Sequence, residues 1–320
     1  MHQLMRPAAV LGIVLGAVVL AAPAQAQSTR TWVSGVGDDV NPCSRTAPCK
    51  TFSGAISKTA VGGEINCLDP AGFGTLTITK SITVDCSRGQ GMGGVLNAGL
   101  NAFTVNFNSF AGTDTRKIVR LRGVQTQGAA TGTGGVRIVG GVVTGGSVFI
   151  EDSSIDNNFA GNGRGISDER TGGGELFITN TLIRNQLGSG IVVIGGGTKI
   201  DVVINGAIVQ NTGNSGVFIG TNVKAVIKNS AFSGNTNNGI DVEGAGAEAQ
   251  VDNTVASNNG VGLFTSGGGV LRMSNSDITL NGAGANGAWT SFGNNRFLGN
   301  SAPGTAPSAA GGQSHDLGQQ

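Results

Sequence analysis

The sequence predicts an all-β chain folded as a single-stranded right-handed parallel β-helix, a solenoid, with a short N-terminal cap helix. Three observations carry that prediction. Six strand-length segments recur at anchors Ile150, Ile178, Ile204, Ile227, Val251 and Met273, spaced 28, 26, 23, 24 and 22 residues apart. Around each anchor apolar and outward residues alternate, the period of a strand with one buried face. Between strands stand Gly and Asn, which tolerate left-handed backbone. One such unit cannot bury its own apolar positions. Stacking similar units buries them in a column and pairs each strand with the coils on either side. Parallel coils of this kind wind right-handed.

The N-terminal 26 residues read as an export signal. Arg6 supplies the positive charge, Ala8 to Ala22 the apolar run, and Ala24-Gln-Ala26 the small residues of a cleavage site. The run is short for a membrane span, and no later segment is long and apolar enough for one. An exported chain beginning at Gln27 is therefore expected, periplasmic or secreted, with no integral membrane anchor after signal removal. Residues 27–62 are expected to form an opening turn and cap, and 63–300 the β-helix. Residues 301–320, rich in Pro, Ala, Gly and Gln, are expected to be a flexible tail.

Composition narrows the partners. Glycine makes up 57 of 320 residues, against about 7% in ordinary proteins. Charged residues are only 12% and the formal net charge is +1, so no basic excess exists to hold nucleic acid. The four cysteines lie beyond the export signal, which implies an oxidising compartment. Cys43 and Cys49 flank a turn-forming Ser-Arg-Thr-Ala-Pro stretch, and Cys67 and Cys86 lie 19 residues apart, close to one coil. Disulfides Cys43–Cys49 and Cys67–Cys86 are expected, among the three pairings that four cysteines allow. His315 is the one histidine beyond the signal, so neither a metal nor another cofactor is expected.

Each repeat has the same outline. Two residues after the anchor comes a turn residue: Asp152, Asn180, Gly206, Asn229, Asn253, Asn275. An Asn then recurs, at Asn157, Asn185, Asn211, Asn235, Asn258 and Asn281, and a Gly-apolar step such as Gly190-Ile191 follows. Stacked Asn side chains can hydrogen-bond from coil to coil. Weaker units at Leu76-Thr-Ile-Thr79, Ile82 to Cys86, Ala102 to Asn106 and Val119 to Val124 extend the helix toward the N-terminus. Phe292 to Phe297 reads as a closing turn.

The stretches Gly35-Val-Gly-Asp-Asp-Val-Asn-Pro42 and Ala47-Pro-Cys-Lys-Thr-Phe52, followed by Ala55-Ile56, resemble the opening of exported proteins of the pectin-lyase-like superfamily. In those proteins a turn of this kind precedes a short helix that caps the β-helix. The resemblance implies that Phe52, Ala55 and Ile56 form the apolar side of such a helix, shielding the first coil's edge. The superfamily includes lyases, hydrolases, epimerases and adhesins, so the likeness speaks to fold more than to function. The Asn-Thr-Asp, Gly-His-Gly and Arg-x-Lys motifs of its galacturonan hydrolases are absent. Asp38-Asp39 is the one paired aspartate, and it sits in the cap turn. The clustered aspartates and Arg-x-Pro-x-x-Arg stretch of its calcium-dependent lyases are missing too.

Alternation sends the residues at −3, −1 and +1 from each anchor outward. Phe149 and Phe177 are then outward aromatics one coil apart, beside Glu175 and Asp201, carboxylates one coil apart. Rings for the apolar faces of sugars and carboxylates for their hydroxyls suit a polysaccharide partner. A second candidate is the segment Asn162 to Gly174, an apparent insertion carrying Arg164, Asp168 and Arg170. The competing reading is a solvated charge ladder offset by Lys224 and Lys228, with the apolar column under a loop. With the family's catalytic motifs missing, the sequence leans toward a non-catalytic structural or carbohydrate-contacting surface module. A polysaccharide lyase or glycoside hydrolase is the alternative.

Overall fold

The computed structural model describes residues 27–87, 93–141 and 145–311. The expected export signal, residues 312–320 and His315 lie outside that range. The described strands form three parallel sheets of twelve, nine and ten strands, and each regular coil contributes one strand to each sheet in turn. The chain is a right-handed parallel β-helix. We call the sheet carrying the anchors the anchor sheet; the next in chain order is the middle sheet, then the third sheet.

The six anchors stack in one register. Ile150 pairs with Ile178, Ile178 with Ile204, Ile204 with Ile227, Ile227 with Val251 and Val251 with Met273. The column continues upward through Leu121, Val84 and Ile65. All nine are fully buried. A buried aliphatic side chain contributes about 1.5–3 kcal/mol, and only in-register stacking gives that to every coil at once.

Turns hold the register. Asp152, Asn180, Asn229, Asn253 and Asn275 leave the anchor strand with φ of 46–50°. The second asparagine recurrence, however, is two columns. Asn157, Asn185, Asn211 and Asn258 have positive φ and sit at the surface. Asn235 and Asn281 belong to the next position, which points inward and is also filled by Asn158, Gln186, Thr212 and Asn259. Inside, amides chain from coil to coil: Asn235 Nδ2 to Asn259 Oδ1 (2.8 Å), Asn259 Nδ2 to Asn281 Oδ1 (3.0 Å), Asn281 Nδ2 to Asn300 Oδ1 (3.0 Å). Each of these three buried amide donors thereby meets an acceptor. The Gly-apolar step has a steric cause. A Cβ on Gly190 would lie 2.2 Å from Val209 Cγ1 and 2.8 Å from the Gly216 carbonyl oxygen.

The cap is built as the resemblance implies. The helix Phe52–Lys58 buries Phe52 and Ala55, Ile56 packs partly against the core, and the Phe52 ring lies 5.2 Å from Phe73 and 5.8 Å from Phe103. Asp39 fixes its start, accepting from the Lys50 and Thr51 amides and the Thr51 hydroxyl. Burial pushes the Asp39 carboxyl up, but these donors and Lys58 outweigh it and hold it below its ordinary value. Both disulfides are present as expected, Cys43–Cys49 and Cys67–Cys86.

The C-terminal end differs from expectation. Arg296–Leu298 joins the middle sheet, Ala302–Gly304 the third and Ser308–Ala309 the anchor sheet. The solenoid therefore runs through residues expected to close it or to form a tail. Strand pairing uses backbone groups and needs few apolar side chains when the coil below is already in place. Here Trp289, stacked on Phe297 at 5.0 Å, donates to the Thr305 carbonyl at 2.9 Å and holds the last coil.

Candidate functional site

Strand alternation places the −3 and −1 columns of the anchor sheet on its outer face. Phe149 and Phe177 are register partners, half-buried, with ring centroids 4.7 Å apart and planes within 8°. They stack along the helix axis at the coil spacing of about 4.8 Å, so each turns a face toward its neighbour and an edge toward solvent. Arg120, the partner of Phe149 on the coil before, lays its guanidinium 4.7 Å over the other Phe149 face. Both faces of Phe149 are thus occupied. The expected platform of two rings reduces to the part of Phe177 that its smaller partner on the following coil, Val203, leaves open to a groove.

There the column changes to Val203 and Val226. The smaller side chains leave a shallow groove of about 380 Å³ with the Phe177 ring as its end wall. Glu175, Asp201, Lys224 and Glu248 line one side. Glu175 accepts from the Ser147 hydroxyl at 2.7 Å. Asp201, its register partner, is met by Lys199 at 2.8 Å. Glu248 takes Lys224 at 2.5 Å and Arg272 at 2.6 Å. The Lys224 hydrogen bond, against a smaller desolvation cost, holds the Glu248 carboxyl below its ordinary value.

The second candidate cluster does not join this groove. Arg164–Asp168 is a regular strand of the third sheet, paired on both sides, so the apparent insertion is a strand with longer turns around it. Asp168 falls two residues after the inward Ile166, and its column otherwise holds Ile138 and Val193. It is 0% exposed and Arg170 1%. Arg170 grips it with two hydrogen bonds, of 2.9 and 2.6 Å. The same guanidinium donates to the carbonyls of Gly146 and Glu175. Neither residue is available to a surface ligand; the pair braces the strand that carries Glu175 and Phe177. The two-residue step from Ile166 was the signal of their burial. Arg164 lies in a different, polar groove, ion-paired at 2.6 Å with Glu169, which also takes Arg137 at 3.0 Å. Among the described residues no three His, Cys, Asp or Glu side chains are grouped to hold a metal ion, and no helix is long and apolar enough to cross a membrane.

Comparison with known proteins bears on the fold. The family described as a right-handed β-helix region matches residues 189–306. Pectate lyase Pel9A is similar in structure, with a TM-score of 0.53 at 16% identity over 91% of this chain and 82% of that one. The A-module of the mannuronan C-5 epimerase AlgE4 from Azotobacter vinelandii aligns at TM-score 0.45 and 13% identity, over 78% of this chain and 90% of that one. A GH136 lacto-N-biosidase from Eubacterium ramulus aligns at 0.42 and 9%, over 88% and 67%. No curated protein matches by sequence. At such identity the likeness to the pectate lyase shows a shared fold, a right-handed β-helix.

Proposed function

We propose that this chain is an exported, non-catalytic β-helix module that contacts a carbohydrate along the outer face of its anchor sheet. The observation that carries the reading is one groove lined by Phe177, Val203 and Val226, with Glu175 and Asp201 alongside. A sugar ring seated there stacks its apolar face on the phenyl ring and offers its hydroxyls to the carboxylates. The fold neighbour named as a pectate lyase makes polysaccharides the class to test first. Two disulfides favour an oxidising compartment. The non-catalytic reading rests on the carboxylates' partners: Asp201 and Glu248 are ion-paired, as suits groups that orient rather than react.

A screen of the mature chain on a glycan array, followed by variants, tests this. Phe177→Ala should weaken binding by about tenfold, the scale of one aromatic stacking contact, with the fold intact. Phe149→Ala, already covered on both faces, should weaken it less. Equal losses from the two variants, or no glycan bound at all, would remove the reading. One observation favours a second reading. Glu175 and Asp201 sit opposite each other one coil apart, near the roughly 5–5.5 Å separation of a retaining glycosidase pair. In that case Glu175→Gln or Asp201→Asn abolishes turnover of a glycan that still binds. In a binding module they shift affinity alone.

A further inference from the structure

The third sheet carries a carboxyl that the groove does not use. Asp241 lies between the inward Ile240 and Val242 and so points outward, yet it is only 3% exposed. Its register partners explain the cover. Phe218 stands beside it on the coil before and Phe264 on the coil after, so the carboxyl is held between two phenyl side chains at coil spacing. Oδ2 accepts from Ser215 at 2.8 Å and Asn238 at 2.7 Å. Oδ1 is buried with no donor. Among the described residues the charged group brought to it is Glu243, on the same strand and in side-chain contact with it. The coil before presents Phe218 and Ser215, and the coil after presents Phe264. No cation faces it among these groups.

A carboxylate buried with one oxygen unmet and an acid beside it is costly; a neutral carboxylic acid is not, because its own O–H fills the gap. We propose that Asp241 is protonated in the folded protein near neutral pH and donates that proton to Glu243, making the coils from Ser215 to Phe264 a lock that loosens as pH rises. The electrostatics agree. Burial pushes the Asp241 carboxyl up to about 7, with Glu243 adding in the same direction and the Asn238 and Ser215 hydrogen bonds opposing. The sign follows from linkage. A folded-state value above the unfolded one means that the contribution is complete below about pH 4. It is lost as pH rises toward and through about 7. Between those limits the folded-to-unfolded ratio should fall up to roughly tenfold per pH unit from this group.

The test is denaturant unfolding across about pH 4 to 9, together with a carbon-13 titration of the Asp241 carboxyl in the full mature chain. The parent should lose stability with rising pH in that window, and its Asp241 signal should titrate near neutrality. Asp241→Asn keeps both acceptor contacts and gives Glu243 an N–H donor, so its profile should lack the Asp241 slope and exceed the parent's at high pH. Glu243→Gln can donate to Oδ1, and should move the Asp241 titration down. An Asp241 that titrates in the ordinary carboxylate range overturns the proposal, whether or not the variants fold. So does an Asp241→Asn profile parallel to the parent's, or a titration that Glu243→Gln leaves in place.

Discussion

Two outer faces of this solenoid use the same residue types to opposite effect. On the anchor sheet, Phe149 and Phe177 occupy one column and Glu175 and Asp201 the next but one. The rings stack on each other, the carboxylates stay wet, and Ser147 and Lys199 meet them. On the third sheet, Phe218, Asp241 and Phe264 share a single column. The acid stands between the two aromatic residues in register, and it is only 3% exposed. Here, then, an acid placed between two aromatic residues of its own column is shielded, while acids in the column beside stacked rings stay solvated. Asp168 gives a third outcome: an acid in an inward column, kept with a cation of its own.

Removing that cation should produce the largest effect. Arg170→Met leaves Asp168 buried and alone, and should cost about 3–5 kcal/mol in denaturant unfolding. The double variant Asp168→Leu, Arg170→Met should recover most of it. A loss below about 1 kcal/mol would mean that Asp168 is as free to change as an exposed acid, and the contrast would collapse. A middle-sized effect should come from making the anchor sheet more like the third. Val203→Phe extends the ring stack by one coil and fills the groove. It should gain about 0.5–1.5 kcal/mol of stability and abolish glycan binding; a variant that still binds glycan at parental affinity would place the ligand elsewhere. The smallest effect concerns Glu248, whose folded-state value is lowered, chiefly by Lys224. Its contribution is present above the ordinary carboxylate range and fades as pH falls through the folded-state value, the reverse of Asp241. The pair is well exposed, so Glu248→Gln should cost under about 1 kcal/mol at neutral pH and flatten the acid limb of the stability curve.

The anchor register was legible in the sequence because burial parity and repeat length are both one-dimensional patterns. The asparagines were harder. Inner and outer ladders differ by one position, and at Gly234-Asn235 and Leu280-Asn281 the outer residue is not asparagine, so a list of recurring Asn merges the two columns. Phe149 and Phe177 were legible as outward aromatics, but sequence gives a column and not the tilt of a ring, so the covered faces of Phe149 came only with Arg120 in place. Asp168 and Arg170 were misplaced because extra length in a coil reads as an insertion, whereas it was spread over the turns on either side of a normal strand. Asp241 went unread because its surroundings lie one coil away in each direction.

The inner amide ladder also constrains how such a chain can change length over generations. From Asn235 to Asn300 each rung binds the next, so a residue lost from the strand leading to a rung turns that rung out of the column, while the turns absorb changes of length and a whole coil can be gained or lost with the column intact. Beside changes of length in the turns, duplication of whole coils is therefore one tolerated route. Lineages built this way should differ in reach by whole steps of about 4.8 Å, with any surface that spans several coils growing or shrinking by the same increment.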